Sequence, residues 1–232
     1  MLFLRRTKSM KSYDTILFDL DGTLTDPALG ITNSIAYALR KMEVEVPDRK
    51  RLTRFIGPPL METFQSDFGF SPEEAALALR HYRAYFVEKG MLENHLYDGI
   101  GELLAELKTS GKTLAVATSK PEPFAVKILE HFGIADCFAY IAGGTLDETR
   151  TKKAEVIRYA LEMLGISPGL SVVMVGDRKY DIIGAREVGI TSIGVLYGYG
   201  TRDELSEAGA LLLAEDIGKL GTLLMPERAL EA

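Results

Sequence analysis

Five short apolar runs, at 15–19, 113–117, 138–142, 171–175 and 191–196, constrain this chain more than any other feature. Each is rich in branched side chains and is followed closely by Gly, Asp, Ser or Thr, as strands that end in turns are. The runs are nearly continuous in apolar character and do not alternate, which predicts strands covered on both faces. Helical spacing fills the intervals between the later runs. Ile100, Leu103, Leu104 and Leu107 share a face in 99–110, and Val126, Leu129 and Phe132 do so in 122–132. Val156, Ile157, Ala160, Leu161 and Leu164 repeat through 151–164, and the short stretch 181–188 ends at Gly189, a residue suited to a helix C-cap. Strand and helix in alternation predict an α/β fold with a doubly wound, Rossmann-like parallel sheet. Sites in such sheets lie outside the carboxyl ends of the strands, near the point where strand order reverses.

The first interval breaks this rhythm. About ninety residues separate the first run from the second, where a crossover needs only about thirty. Helical patterns occupy it at 29–42, 60–68 and 72–89, and Ser71 with Glu74 has the spacing of a capping box. The reading is a small all-helical cap, 27–95, inserted after the first strand into a core made of 10–26 and 96–232. Its linkers fall at 26–29 and 95–99. Residues 1–9 read as an N-terminal extension, with Met10 as an alternative translation start. After Gly209 an apolar run at 211–213 leads through an acidic turn to a final helix-like stretch.

Bulk properties remove whole classes of function. The chain has 232 residues, 47% hydrophobic, enough for a sizeable core. A net charge of −6 offers no general match to nucleic acid or an anionic membrane. The single cysteine, Cys137, excludes an intrachain disulfide and a multi-cysteine metal site, and its apolar surroundings predict a small buried hydrophobe. No apolar stretch reaches the roughly 20 residues of a membrane span. The first residues place their basic side chains after the apolar ones, the wrong order for a secretory signal. A cytoplasmic location is expected, and nothing in the sequence speaks to oligomeric state.

Carboxylates gather at the predicted strand ends. Phe18, Asp19, Leu20, Asp21, Gly22, Thr23, Leu24, Thr25 and Asp26 put two aspartates two residues apart, on one side of an extended chain, before a glycine that permits a sharp turn. Asp177 closes the fourth run, and Asp181 follows four residues later at a helix start. Thr118 and Ser119 close the second run, and Thr151, Lys152 and Lys153 open a helix. Any one aspartate alone reads as a turn former or N-cap; the full set in order does not.

This set resembles the four motifs of the haloacid dehalogenase superfamily, in its phosphatase branch. The resemblance implies a Mg²⁺-dependent phosphomonoester hydrolase that acts on a small phosphorylated metabolite. In that scheme Asp19 is the nucleophile, forming an aspartyl-phosphate, and Asp21 is the general acid and base. Thr118 binds the transferring phosphoryl group and a lysine neutralises its charge. Mg²⁺ takes oxygen from Asp19, Asp177, Asp181 and the backbone carbonyl of Asp21. Lys153 is favoured over Lys152 because relatives carry their lysine directly before Ala-Asp or Ala-Glu. Gly22, Thr23 and Ser119 are expected to contact substrate. Asp21 disfavours the dehalogenase branch. Sugar-phosphate mutases of the β-phosphoglucomutase type are the main alternative, and a non-catalytic phosphometabolite-binding protein is a distant one.

The position of the cap resembles that of phosphoglycolate phosphatases and 5′-nucleotidase-like relatives. Arg54, beside Gly57, Pro58 and Pro59, is a candidate for a substrate carboxylate or phosphate, against the plainer reading of a surface arginine. His81, Tyr82 and Arg83 read as packing or solvated residues, and Lys120 as an exposed residue at a helix start. Tyr197, Gly198, Tyr199 and Gly200 read as a loop beside the site, without an assigned role.

Overall fold

The computed structural model describes residues 13–225. The proposed extension 1–9 and the alternative start at Met10 lie outside the described residues. In chain order the elements are β1 (Thr15–Phe18), β2 (Thr25–Asp26), α1 (Ala28–Lys41), α2 (Arg49–Leu52), α3 (Leu60–Phe68) and α4 (Pro72–Tyr85). A π-helical turn, Phe86–Gly90, extends α4 and leads to β3 (His95–Leu96), α5 (Ile100–Thr109) and β4 (Thr113–Pro121). Then follow α6 (Glu122–His131), β5 (Tyr140–Gly144), α7 (Lys153–Leu164), β6 (Val172–Gly176), α8 (Lys179–Val188), β7 (Thr191–Val195), α9 (Arg202–Glu207), β8 (Leu212–Ala214) and α10 (Ile217–Leu224).

Six strands form one parallel sheet in the order β5-β4-β1-β6-β7-β8. The order reverses at β1, so the ends of β1, β4 and β6 converge where a doubly wound sheet opens a crevice. Alternation along the strands separates the two apolar layers. Ile16, Phe18, Leu114, Val116, Val173 and Val175 join one layer with α5, α6 and α10. Leu17, Ala115, Ala117, Val172 and Met174 join the other with α7 and α8. This two-sided cover is why the runs are continuously apolar.

Helices α1, α3 and α4 pack on one another between β2 and β3. Ser71 caps α4 reciprocally with Glu74, as its spacing predicts. The two short strands pair antiparallel, Thr25 with Leu96 and Asp26 with His95, so the chain leaves and re-enters at one place.

Several expectations need correction. The run at 211–213 becomes a sixth strand, β8, held on the edge by β7. β4 continues past Ala117 to Pro121 through an irregular register against β5. A 3₁₀ turn at Ala135–Cys137 delays β5 to Tyr140, and Cys137 in it is only half-buried. Among the described residues no helix is long and apolar enough to cross a membrane.

Candidate active site

Asp19 directly follows β1, and its N–H donates to the Val175 carbonyl at 2.9 Å, tying its backbone to β6. The chain then coils tightly. The N–H groups of Thr23, Leu24 and Thr25 all converge on the Leu20 carbonyl. Gly22 takes φ +83°, and a Cβ there would collide with the Asp177 carboxylate. Only glycine satisfies both demands. This coil turns Asp19 and Asp21 into a common cavity.

Asp177 follows β6, and Asp181 occupies the first turn of α8, where its Oδ2 accepts the Arg178 N–H at 3.1 Å. Both are fully buried. Oxygens of Asp19, Asp177 and Asp181 lie within 4.8 Å of one another. Asp177 Oδ2 accepts the Tyr199 N–H at 2.7 Å, while its Oδ1 has no partner among the described residues. A buried, unpartnered carboxylate oxygen beside two further carboxylates fits a hard cation that prefers oxygen ligands.

Lys153 is the first residue of α7. Its buried Nζ lies 2.8 Å from Asp19 Oδ1, 2.9 Å from Asp181 Oδ1 and 3.0 Å from the Ala117 carbonyl. Lys152 is the exposed residue before the helix and lies outside the cavity. The electrostatics follow from this crowding. Burial pushes the Asp177 carboxyl well up, and the charges of Asp181 and Asp19 push it further. Burial also raises Asp181, to about 6, against the opposing pull of Lys153. Burial disfavours the Lys153 ammonium, but Asp181 and Asp19 outweigh it, and its pKa rises.

The cavity, about 250 Å³, is lined at its polar end by Asp19, Asp21, Thr118, Ser119, Lys120, Lys153 and Asp181. Much of the remaining wall is apolar and aromatic, with Phe55, Leu79, Tyr82, Phe86, Phe124 and Tyr180. Tyr82, expected only to pack or face water, stacks on Phe86 at 5.6 Å and lines this wall. Arg83 lines it too, but pairs with Glu148 at 3.1 Å.

Three expected substrate residues stand elsewhere. Gly22 and Thr23 lie behind the cavity, where Gly22 makes room for Asp177 and Thr23 is fully buried. Arg54 is 56% exposed, pairs with Asp67 and lies over the Phe55 ring at 4.7 Å. It borders a second, smaller cavity with Arg51, Asp67 and Phe68, and does not line the cavity that holds Asp19 and Asp21.

Lys120 reverses its expectation. Its side chain is 6% exposed, and its Nζ lies 2.8 Å from Asp21 Oδ2. The signal was in the sequence: Lys120 is two residues after Thr118, as Asp21 is after Asp19, and β4 continues through it. The 197–200 loop also acquires a role. A Cβ at Gly198 would strike the Gly22 carbonyl and Asp177, so two glycines let the loop lie directly on the site. Tyr197 donates its hydroxyl to the Thr23 carbonyl at 3.1 Å, and Tyr199 donates its own to Asp26.

The sequence profile of the haloacid dehalogenase-like hydrolases matches residues 16–195, most of the chain and the whole of this site. The chain belongs to that family. It is 48% identical over 193 residues to a 5′-nucleotidase of Pseudomonas aeruginosa, covering 83% of this chain and 87% of that protein. It is 43% identical over 210 residues to the tyrosine-protein kinase PtkA of Mycobacterium tuberculosis, covering 90% of this chain and 71% of that one. A crystal structure of a predicted phosphatase from Clostridium acetobutylicum superposes with a TM-score of 0.88 at 46% identity, covering 96% of this chain and all of that one. With this family and these neighbours the chain is a phosphatase of the haloacid dehalogenase type.

Proposed function

We propose that this phosphatase is a Mg²⁺-dependent phosphomonoester hydrolase that works through an aspartyl-phosphate on Asp19. The observation that carries the reading is the cluster of Asp19, Asp177 and Asp181, with Lys153 paired to Asp19 and Asp181, at a cavity whose wall is largely apolar. Asp19, Asp177 and Asp181, with the Asp21 carbonyl, would hold the cation. When bound it supplies Lewis-acid charge that lets an anionic nucleophile approach an anionic ester.

The remaining chemistry belongs to the chain. Lys153 fixes the Asp19 carboxylate so that its free oxygen meets phosphorus. Thr118 and Ser119 donate to the phosphoryl oxygens. Asp21 protonates the leaving oxygen, then takes a proton from the water that hydrolyses the acyl phosphate. In this reading 10–26 and 96–232 form the core, and 27–95 is a cap hinged at the β2–β3 pair, which encloses the substrate and excludes bulk water.

The cavity wall bears on the substrate. Its two arginines are already engaged, Arg83 by Glu148 and Arg178 by Glu204. The rest of that wall is largely apolar and aromatic. That supports an ester with an apolar or aromatic body, such as a nucleoside 5′-monophosphate, over a carboxylated one such as phosphoglycolate. Phosphate release should be assayed over nucleotides, phosphoglycolate, sugar phosphates and phosphotyrosine, with Mg²⁺ and with chelator. Asp19→Asn is expected to abolish turnover, and full activity in that variant would refute the nucleophile. Interconversion of sugar phosphates without phosphate release would replace the hydrolase reading with a mutase.

A further inference from the structure

The site contains two buried lysines, and their surroundings differ. Lys153 is surrounded by two carboxylates, of Asp19 and Asp181, and by the Ala117 carbonyl. Lys120 forms one ion pair, with Asp21 Oδ2, and its remaining donors have no partner among the described residues. Asp21 Oδ1 is likewise unpartnered. Both groups line the cavity. The Phe86 ring lies 4.6 Å from the ammonium, reaching it from the π-helical turn after α4. One flank of the charge is therefore covered by an aromatic face from the helical segment.

We propose that Lys120 is a positioning residue for the leaving-group step. It holds the Asp21 carboxyl toward the ester's bridging oxygen and stabilises the charge left on Asp21 as that oxygen takes the proton. The P–O bond to the leaving group breaks, the pair of electrons goes to the departing oxygen, and the Asp21 proton neutralises it. Phe86 keeps the ammonium in place while the cavity is enclosed. This inference rests on the hydrolase reading above, in which Asp21 is the acid.

Leaving-group dependence separates this role from a structural one. A nitrophenyl phosphate departs without much proton assistance, and a simple alkyl phosphate does not. Lys120→Met is expected to lower kcat/KM for the alkyl ester about 100-fold or more, and for the nitrophenyl ester less than about tenfold, the range set by loss of general-acid help. Inhibition by inorganic phosphate should change less than about threefold, since its oxygens meet Thr118, Ser119 and the cation instead. In an Asp21→Asn background the same substitution should add little, because the two act as one unit. Lys120→Arg keeps a cation and should recover most of the alkyl-ester rate.

Equal losses for both esters, or phosphate inhibition weakened in step with kcat/KM, would overturn the proposal. Should Lys120→Met not fold, Phe86→Leu leaves the ion pair and removes the ring. It is expected to give a smaller loss with the same bias toward the alkyl ester, and a uniform loss there would equally overturn it. A wild-type protein that hydrolysed neither ester would sink the hydrolase reading and this inference together. An active wild type with uniform losses in the variants would sink this inference alone.

Discussion

At the scale of residues, the site is built against its own electrostatics. Asp177 and Asp181 are buried with raised pKa values, the first driven by burial and then by neighbouring carboxylates. Without a cation they are a liability to the fold. Asp177→Asn is therefore expected to abolish phosphatase activity yet raise Tm in chelator by a few degrees, each 1 kcal/mol being worth about 2–4 °C at this size. Differential scanning calorimetry checks it. The same shifts fix a pH trend. The native state holds protons on Asp181 up to about pH 6 that the unfolded chain has released, since its ordinary value is 3.8. Stability of the metal-free protein should thus fall as pH rises from about 4 through about 6, and Mg²⁺ should flatten the slope. Thermal melts in chelator and in Mg²⁺ at several pH values would show it. Lys153 is the opposite case. Removing it leaves two buried carboxylates uncompensated, a loss of about 3–5 kcal/mol, whereas Lys152→Ala should be silent in both urea unfolding and turnover. The motif aspartates were legible because strand ends and spacing announce them. Lys120 was legible only in part: its two-residue spacing from Thr118 matches that of Asp21 from Asp19, but the apolar run stops at Ala117, and the irregular register that carries β4 onward has no sequence signature of its own.

At the scale of elements, legibility tracked apolar periodicity. The five apolar runs and the helices between them carry enough buried surface to declare themselves. β8 has only three residues and α9 six, too short for either period to register. The 197–200 loop shows a second limit. Its glycines are required by contacts with Gly22 and Asp177, residues far away in sequence, so no local pattern reveals them. Gly198→Ala should push this loop off Asp177 and break the Tyr199 N–H contact. The expected outcome is a stability loss of about 1–3 kcal/mol, as for other overpacked sites. The Mg²⁺ concentration for half-maximal activity should also rise. Metal titration of turnover, alongside urea unfolding, checks both.

At the scale of the whole molecule, side-chain contacts join the helical segment to the rest of the described residues. Arg83 pairs with Glu148, Arg178 reaches the Ile56 carbonyl, and Lys120 meets the Phe86 ring. The Arg83–Glu148 pair is partly exposed, so it contributes on the order of 1 kcal/mol or less to folding. Arg83→Gln should leave Tm nearly unchanged while raising KM, if the pair serves closure of the cap over substrate. Solution scattering with Mg²⁺ and a phosphate analogue should show compaction in the wild type and less of it in this variant. The insertion point of the helices was readable from the interval length. Their contacts with the rest of the described residues were not, since each joins residues from different parts of the chain.

The central position of β1 has a consequence for how the protein is made. Its Thr15 pairs with Thr113 on one side and Val172 on the other, so the first strand synthesised needs partners that emerge much later. At roughly 5–20 residues per second, the interval before β6 is translated is on the order of ten seconds or more. Until β4 is made, Ile16, Leu17 and Phe18 have no sheet to enter, and until β6 is made one edge of β1 stays open. A nascent chain stalled before residue 113 therefore carries the nucleophile on an unpaired, apolar strand. The geometry that later places Asp19 at the middle of the crevice thus leaves the first strand exposed during early synthesis.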